Sequence, residues 1–595
     1  MKRAWALILC FAMITTVLCG CTTLEKSEDG SYDKGAIIPM YIGTEMYNFD
    51  PGIAYLNDSN AKILSMLYVG LTDIDEKGKL QMTLIDKYEI SENEELGEYK
   101  MIITLKETRW SDGTALTAQD AVYTFKRLLN VNFDSEAAVL LFDIKNARAI
   151  KNGEKSIDDL GATAPETYKL EIEFERKIDY TQFLRNLSSP ALVPLREDIV
   201  AKASSGDTWA KKAATAVTSG PFTLRVIEFE GIIRLERSSY YLLSDKDKYL
   251  DKYVIPYRLE TDYSTRTGVE SKYLSMIDSQ TAFFTNEIPL DKREAYKDSA
   301  TITDLMSTHT LYLNLNNDLF KNEKVRLALS AALDRQQIAN EVVFARPATG
   351  FIPYKVTDGK VGTSFREAGD AKKTLISTTA DTAKAQALLN EAGVHGGNIR
   401  IFYFADDPVS ELIAKKAEAA WTALGFTATA YAQAAYRDDT TEEVIYIDKF
   451  HDYYSVDSAE SGSWDVLAID YQMLSEEAFT ALAPFAVGFS GNGVDMMDDT
   501  YPATGHMTGF AADDYNAKIE EAYAETDLVK RAEILHEAEE LLLSYMPVIP
   551  VIFNQDAYYY NSAVVSGFSS DYYGATDFNR VKMKNYMAWK EYLGG

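Results

Sequence analysis

The chain has 595 residues, too many for one ordinary domain of about 100–200 residues, so we expect two or three lobes. Hydrophobic residues make up 46% of the chain and charged residues 25%, a globular composition that excludes a disordered or fibrous protein. Acidic residues outnumber basic residues by 90 to 60, and the resulting net charge of −30 repels phosphate backbones, which argues against nucleic acid as a partner.

All three cysteines (Cys10, Cys19 and Cys21) lie near the N-terminus. The rest of the chain therefore has no residue that could form a disulfide, a thiolate metal site or a cysteine nucleophile. We expect packing alone to hold the fold together.

The first residues have the pattern of a secretory signal peptide. Lys2 and Arg3 precede an apolar run at 4–18, which is shorter than the roughly 20 residues that span a membrane. The run ends in Leu18-Cys19-Gly20-Cys21, which resembles the lipobox of bacterial lipoproteins, where the final cysteine is acylated and becomes the first residue.

This resemblance implies that residues 1–20 are a signal peptide and that Cys21 carries a lipid. The polar residues 21–35 would then tether the body of the protein to the membrane. No later stretch offers 18 consecutive apolar residues, so we expect the body to be soluble and extracytoplasmic.

Helix signals recur along the body. Thr117 is a predicted N-cap, with Asp120 in the capping-box position and apolar residues on one face beyond it. A second helix is predicted to begin near Asn322, and Asp334 is predicted to cap the helix that follows. The periodicity further predicts one long helix from Asp514 to about Leu543.

Strands alternate with helices in the second half of the chain. Helices predicted at Asp381–Ala392 and Val409–Leu424 flank a strand at Ile399–Phe404, and Val548–Phe553 has the composition of a buried strand. Alternation of this kind indicates the α/β class. The acidic segment Arg437–Ser463 lacks periodicity over much of its length and is predicted to be an inserted loop.

The sequence offers no catalytic or metal-binding constellation. The five histidines lack the spacing of metal ligands, and His536-Glu537 begins like H-E-x-x-H but has no second histidine, which indicates a solvated helix face. Gly488-Phe489-Ser490-Gly491-Asn492 resembles a nucleophile elbow except at its last position. We therefore expect no enzyme activity, no metal and no cofactor, although chance carboxylate pairs leave a hydrolase as a third alternative.

An ordered series of motifs resembles one family. The segment from Arg109-Trp110-Ser111-Asp112-Gly113-Thr114 to Asp120 closely resembles the signature of extracellular solute-binding proteins of the oligopeptide/dipeptide class, the receptors of peptide ABC importers. Further matches follow in the family's order: Met66–Leu71 (with Val69 in place of the usual Glu), Ser219–Phe222, Val325–Arg335, Arg346–Pro353 and Met546–Pro550.

The resemblance implies a periplasmic-binding-protein-like α/β fold, with two lobes that close about a hinge and an extra inserted domain. Lobe I would comprise residues 36–68, 196–307 and 549–595. Residues 69–195 would form the inserted domain and residues 308–548 lobe II.

The resemblance also implies a ligand site. In this family a W-x-A-D-Y segment presents an Asp to the α-amino group of the peptide, and here Leu467, Ala468, Asp470 and Tyr471 occupy that place. An ammonium group withdrawn from water needs a fixed carboxylate partner, and a neighbouring strand would bind the peptide backbone whatever its side chains. The residue-level alternative is that Asp470 is a helix cap or a surface acid.

Two departures limit what the resemblance implies. Leu467 replaces the usual Trp, and Gln472-Met473-Leu474 replaces the Asp-Pro that follows the Tyr. The arginines that some members place upstream are absent across 436–464 except for Arg437. Peptide length and recognition of the peptide C-terminus therefore stay open.

These observations together predict a lipid-anchored, monomeric receptor that captures oligopeptides between two lobes and delivers them to an ABC permease and its ATPase. Lobe closure, without chemistry, would perform this function. The same fold could instead bind a nickel chelate, a sugar or a signalling peptide, although the dispersed histidines argue against a metal. A surface adhesin or structural lipoprotein is the alternative from another class, and it would show no closed form and no buried groove.

Overall fold

The computed structural model describes residues 36–43, 48–54, 58–202, 208–228, 231–241, 256–262, 274–275, 277–278, 284–285, 288–368, 374–434, 436–437, 444–445, 456–492, 505–562, 565–574, 578 and 581–583. The predicted signal peptide, Cys21 and the tether lie outside the described residues, as does most of the predicted loop at 437–463. None of the described helices combines the length and apolarity that crossing a bilayer requires.

The described strands, in chain order, are β1 (Ala36–Tyr41), β2 (Asp73–Ile74), β3 (Leu80–Gln81), β4 (Ile85–Asn93), β5 (Glu98–Leu105), β6 (Thr108–Arg109), β7 (Ala115–Leu116), β8 (Ala162–Glu166), β9 (Lys169–Phe174), β10 (Phe222–Ile227), β11 (Ile232–Arg237), β12 (Pro256–Asp262), β13 (Phe284–Thr285), β14 (Thr301–Leu313), β15 (Ala345–Pro347), β16 (Asn398–Phe404), β17 (Thr427–Gln433), β18 (Tyr436–Arg437), β19 (Val444–Ile445), β20 (Val466–Gln472), β21 (Val548–Tyr560), β22 (Val565–Ser566) and β23 (Lys582–Met583).

The described α-helices are α1 (Pro51–Ala54), α2 (Asp58–Leu67), α3 (Ala118–Leu128), α4 (Ala147–Lys151), α5 (Tyr180–Asn186), α6 (Glu197–Val200), α7 (Leu290–Tyr296), α8 (Glu323–Ala331), α9 (Arg335–Val342), α10 (Thr382–Ala392), α11 (Pro408–Ala423), α12 (Val456–Glu460), α13 (Ala478–Leu482), α14 (Asp513–Ala524) and α15 (Leu528–Tyr545). Short 3-10 helices occur at Glu136–Leu141, Ile157–Asp159, Pro190–Leu192, Thr208–Lys211, Phe365–Glu367 and Ala483–Phe485.

One mixed sheet of 11 strands runs through the molecule, in the order β10-β11-β12-β1-β13-β21-β14-β20-β16-β17, with β15 beside β21. Its two longest strands, β14 and β21, have 13 residues each and pair antiparallel at its centre. The predicted boundary between lobes I and II at 307/308 falls inside β14, and the boundary at 548/549 falls at the start of β21. These two strands therefore connect the parts that we assigned to the two lobes.

A second sheet, in the order β4-β5-β9-β8, lies wholly within the predicted inserted domain at 69–195. Helix α3 begins as predicted, because the Asp120 carboxylate accepts a hydrogen bond from the Thr117 backbone N–H at 2.8 Å. The same carboxylate accepts a bond from Nε1 of the buried Trp110 at 3.3 Å. The family-like segment from Arg109 to Asp120 thus forms a short hairpin followed by the start of a helix. The hydrogen bond between Trp110 and Asp120 joins these two elements.

Local capping signals predicted several helix starts correctly. The Asn322 side chain accepts a bond from the Lys324 N–H at 3.0 Å at the start of α8. Asp334 accepts one from the Gln337 N–H at 2.8 Å at the start of α9. The predicted β–α alternation around Ile399–Phe404 is also confirmed by α10, β16 and α11. Parallel pairing of β16 with β17 and β20 confirms the α/β class.

Two expectations were wrong. The long helix predicted from Asp514 to about Leu543 is two helices. The first ends at Ala524, where Glu525 has extended backbone angles, and Asp527 caps α15 by accepting the Val529 N–H at 3.0 Å. The second expectation, a solvated helix face at His536, is wrong because only 19% of this side chain is exposed. Its Nε2 atom lies 2.7 Å from Oδ1 of Asp358, and its ring stacks on Phe365 at 3.7 Å between centroids.

Candidate functional site

The carboxyl ends of two parallel strands define the candidate site. Strands β16 and β20 run parallel and end at Phe404 and Gln472, and α11 begins shortly after β16. In open α/β sheets, ligands bind in the crevice beyond the carboxyl ends of the strands. One half of the sheet contains β20, β16 and β17, and the other contains β10 to β13 and β1. The long strands β14 and β21 join the two halves and extend past this edge. The edge therefore faces the space between the two halves.

Asp470 lies near this end of β20 and is held by two neighbouring strands. Its Oδ1 atom lies 2.8 Å from Nδ1 of His309, the residue opposite it on β14. The same oxygen accepts a bond from Nδ2 of Asn554 on β21, also at 2.8 Å. Oδ2 accepts no hydrogen bond from the described residues, and 29% of the side chain is exposed. The carboxylate is therefore fixed through one oxygen while the other stays available.

The surroundings keep Asp470 charged. Burial acts to raise the pKa of its carboxyl group, but the charge and hydrogen bond of His309, together with the Asn554 bond, outweigh burial and lower the pKa below its usual value. The opposite holds for Asp407, the N-cap of α11, because burial and the nearby Asp470 charge raise the pKa of its carboxyl group. Two neighbouring carboxyl groups with pKa values shifted apart favour one negative charge at this edge, on Asp470.

This arrangement predicts a pH dependence of stability. Because the pKa of Asp470 is lowered in the folded protein, its stabilising contribution is complete above the unfolded carboxyl pKa of about 3.9 and is lost as the pH falls through the lower folded pKa. We expect the difference in unfolding free energy between wild type and Asp470→Asn to be present at pH 5 and to shrink below about pH 4. Urea titrations at these pH values measure it. A difference that grows on acidification would contradict the assignment.

The other three expected site residues are buried in this structure. Leu467, Ala468 and Tyr471 are at most 1% exposed, so their side chains pack in the core of this structure. The Tyr471 hydroxyl donates to the Ala481 carbonyl at 3.2 Å, and its ring packs beside Phe351. Strand alternation places Leu467 and Tyr471 on the face opposite Asp470, whereas Ala468 shares the face of Asp470.

The backbone of β20 offers a second binding feature. On the β14 side the pairing continues from Val466 to Gln472, whereas on the β16 side it stops at Ala468. Beyond Ala468, no described strand lies between the β20 edge and the crevice on the β16 side. An extended peptide could add to the sheet there, beside Ile469 and Asp470, by the β-augmentation mode of recognition.

Sequence reasoning missed a buried charge pair beside this site. Arg185 of α5 pairs with Glu476, which follows β20, through two nitrogens and both carboxylate oxygens. The two side chains are 5% and 1% exposed. Arg185 also donates to the Gly78 carbonyl at 2.8 Å. No motif, spacing or periodicity in the sequence signalled this pair, whose members lie 291 positions apart.

Further contacts join the same two parts of the chain. Arg148 donates to the Gly488 carbonyl at 3.1 Å and pairs with Glu520, and its guanidinium lies 3.7 Å from the Phe489 ring centroid. The Tyr523 hydroxyl donates to the Phe142 carbonyl at 2.6 Å. The Gly488–Asn492 segment, which resembles a nucleophile elbow, thus packs against the predicted inserted domain. These contacts pack the predicted inserted domain against the second half of the chain.

Comparisons with known proteins agree with this architecture. The family model described as bacterial extracellular solute-binding proteins, family 5 (middle), matches residues 82–465, well over half of the chain. The dipeptide-binding protein DppE of Bacillus subtilis is 26% identical over 584 residues, covering 95% of this chain and 96% of the relative. The oligopeptide-binding protein OppA of B. subtilis is 25% identical over 581 residues, covering 94% and 95%.

A solved structure shows the same fold. The crystal structure of Haemophilus influenzae OppA in complex with the peptide RPPGFSPFR superposes with a TM-score of 0.72 at 21% identity, covering 93% of this chain and 99% of that one. Members of the matched family bind solutes outside the cytoplasm and are not enzymes, as we expected of this protein. The chain belongs to the bacterial extracellular solute-binding proteins, family 5.

Proposed function

We propose that the protein is the lipid-anchored peptide receptor of an ABC importer, which captures oligopeptides in the crevice between its two lobes and delivers them to the permease. The names of its relatives support a peptide as the ligand class, because both B. subtilis proteins are peptide-binding proteins. The observation that carries the proposal is Asp470, a charged carboxylate with one available oxygen at the carboxyl edge of the sheet.

Asp470 would anchor the α-amino group of the peptide. An ammonium group loses its hydration on entering the crevice, and a carboxylate already held by His309 and Asn554 replaces that hydration without having to be ordered first. The end of β20 beyond Ala468 would bind the peptide backbone beside this anchor. Backbone recognition explains how one receptor could accept many sequences.

Closure would complete the binding. A ligand that contacts both halves of the molecule stabilises the arrangement in which they meet, because it binds this form better than an open one. We propose that the buried contact between Arg185 and Glu476 forms when the crevice shuts, because it joins the predicted inserted domain to predicted lobe II. The permease would then recognise the closed, loaded receptor. We propose that the receptor acts as a monomer, without a cofactor.

Calorimetric titration tests the ligand class. The full chain is purified in detergent, stripped of bound material by unfolding and refolding, and titrated with mixed synthetic peptides of two to eight residues. We expect saturable binding of peptides and no binding of a nickel chelate or of mono- and disaccharides. Saturable binding of one of these solutes without peptide binding would show that the ligand is a metal chelate or a sugar and not a peptide. Binding restricted to one peptide sequence would favour a signalling peptide.

The lipid anchor makes a separate prediction. Cys21→Ser is expected to shift the protein from the membrane fraction to the soluble fraction, because the thiol that would be acylated is lost. Cys19→Ser is the matched control, since Cys19 would leave with the signal peptide and its loss should not change the fractionation. Immunoblots of separated fractions measure the distribution. Retention of the Cys21→Ser protein in the membrane would contradict lipidation at this residue.

A further inference from the structure

Three titratable side chains lie together at the proposed amine anchor. Asp470 lies opposite His309 across the pair of strands β14 and β20, with its Oδ1 atom 2.8 Å from Nδ1 of the imidazole. Helix α11 packs against β20, and its N-cap is Asp407. The parallel pairing of Tyr403 with Ala468 brings the start of α11 to the carboxyl end of β20. Asp407 and Asp470 therefore lie at the same edge of the sheet.

No lysine or arginine of the described residues forms an ion pair with either carboxyl group. The charges that act on Asp407 are those of Asp470, which opposes its ionisation, and of His309, which favours it. The Asn554 side chain, which holds Asp470 from β21, is neutral. Asp406, the neighbour of Asp407 in the chain, has interactions of its own. A second negative charge at this edge is therefore costly, since only the imidazole is present to balance it.

The contacts of Asp407 are compatible with a bound proton. Its Oδ1 atom accepts the backbone N–H groups of Val409 and Ser410 at 2.9 and 3.0 Å, as an N-cap does. Its Oδ2 atom accepts a hydrogen bond from the buried Ser410 hydroxyl at 2.6 Å. A hydroxyl can also accept, so this contact persists when Oδ2 carries a proton and donates. Burial and the Asp470 charge raise the pKa of the Asp407 carboxyl group, which is the direction that retains this proton.

His309 offers a second place for the same proton. Its side chain is fully buried, and its Nε2 atom forms no hydrogen bond with the described residues. With Nδ1–H donating to Asp470, Nε2 can gain or lose a proton without breaking an existing bond. A buried N–H group without an acceptor is costly, so a proton held there is readily given up. The cluster can thus hold one proton, on Asp407 or on His309, in place of a permanent cation.

We propose that ligand binding exchanges this proton for the peptide's ammonium group. In the empty receptor Asp407 and His309 share one proton, and this proton leaves for the solvent when the ammonium group pairs with Asp470. The site loses one positive charge and gains one, so its net charge does not change. The inference rests on the proposed peptide-binding function and deepens it, because it makes the capture of an amine depend on pH. Binding that releases protons becomes stronger as the pH rises.

Calorimetric titration in buffers of different ionisation enthalpy measures the number of protons released per bound peptide. The full chain is titrated with C-terminally amidated peptides that contain no acidic or histidine side chain, so that the peptide amine stays protonated between about pH 5 and 6.5. Asp407→Asn keeps a capping side chain but removes the carboxyl group. Asp381→Asn is the matched control, because Asp381 also caps a helix, α10, but is exposed.

We expect wild type and Asp381→Asn to release at least about 0.3 protons per peptide and to gain roughly 3- to 30-fold in affinity across this pH range. Asp407→Asn should release no proton, and its affinity should not change with pH. His309→Gln assigns the proton, because loss of release places it on the imidazole and retained release places it on Asp407. Both results agree with the exchange.

Two results would overturn the exchange and leave the peptide receptor intact. The first is peptide binding by wild type without proton release anywhere in this range. The second is equal proton release by wild type and Asp407→Asn. Absence of binding to every peptide would overturn the proposed function itself.

Discussion

Replacement of Glu476 by Gln is expected to destabilise the closed arrangement by about 3–5 kcal/mol, because it leaves the buried Arg185 guanidinium without a counter-charge. In an open form, water would solvate Arg185 and the substitution would cost little. The lost stabilisation therefore makes closure less favourable. We therefore expect peptide affinity to fall by at least 100-fold. Calorimetry gives the affinity, and small-angle scattering with saturating ligand gives the radius of gyration, which should be larger than that of wild type.

Two further variants separate closure from general damage. Glu520→Gln removes a pair with Arg148 at the same interface, but the two side chains are 25% and 49% exposed, and we expect an effect below about 1 kcal/mol. The double variant Arg185→Met/Glu476→Met removes both charges and should recover much of the lost affinity. Equal effects of Glu476→Gln and Glu520→Gln would show that burial of the Arg185 pair does not control closure.

Replacement of Asp470 by Asn is expected to weaken peptide binding by about 2–5 kcal/mol, or roughly 30-fold to several-thousand-fold in Kd, because the ligand ammonium loses a desolvated charged partner. Asn keeps an oxygen that can accept the bonds from His309 and Asn554, so the substitution removes charge with little loss of structure. Calorimetric titration with the peptide pool measures the change.

Amine-blocked peptides provide the control for this second prediction. Wild type should bind N-acetylated peptides much more weakly than free-amine peptides, whereas Asp470→Asn should bind both alike. Asp381→Asn serves as a matched variant, because Asp381 is an exposed helix cap on α10 and should leave binding unchanged. If Asp470→Asn retains the preference for a free amine, the amine anchor lies elsewhere in the crevice.

Local signals account for the parts of the fold that the sequence predicted well. The starts of α3, α8 and α9 depend on residues within three positions of each other, and β–α alternation is a pattern of neighbouring elements. The break between α14 and α15 was missed because apolar periodicity continues across it. The extended backbone of Glu525 ends α14, and the capping bond of Asp527 begins α15.

The site was less predictable because its contacts connect distant residues. A family-like motif predicted Asp470, but its partners His309 and Asn554 are 161 and 84 positions away. The pairing of Arg185 with Glu476 joins residues 291 positions apart, and no periodicity or motif links them. Tyr471 shares the motif but lies on the opposite face of the strand, and only the tertiary packing shows that this face is buried.

Native mass spectrometry of the freshly purified protein tests the central claim most directly. Gentle ejection of the material that co-purifies with the full chain in detergent shows what the crevice holds. We predict a ladder of peptide masses from wild type and its loss from Asp470→Asn. A single non-peptide mass, or an empty crevice together with no binding of mixed peptides, would contradict the assignment of this protein as a peptide receptor.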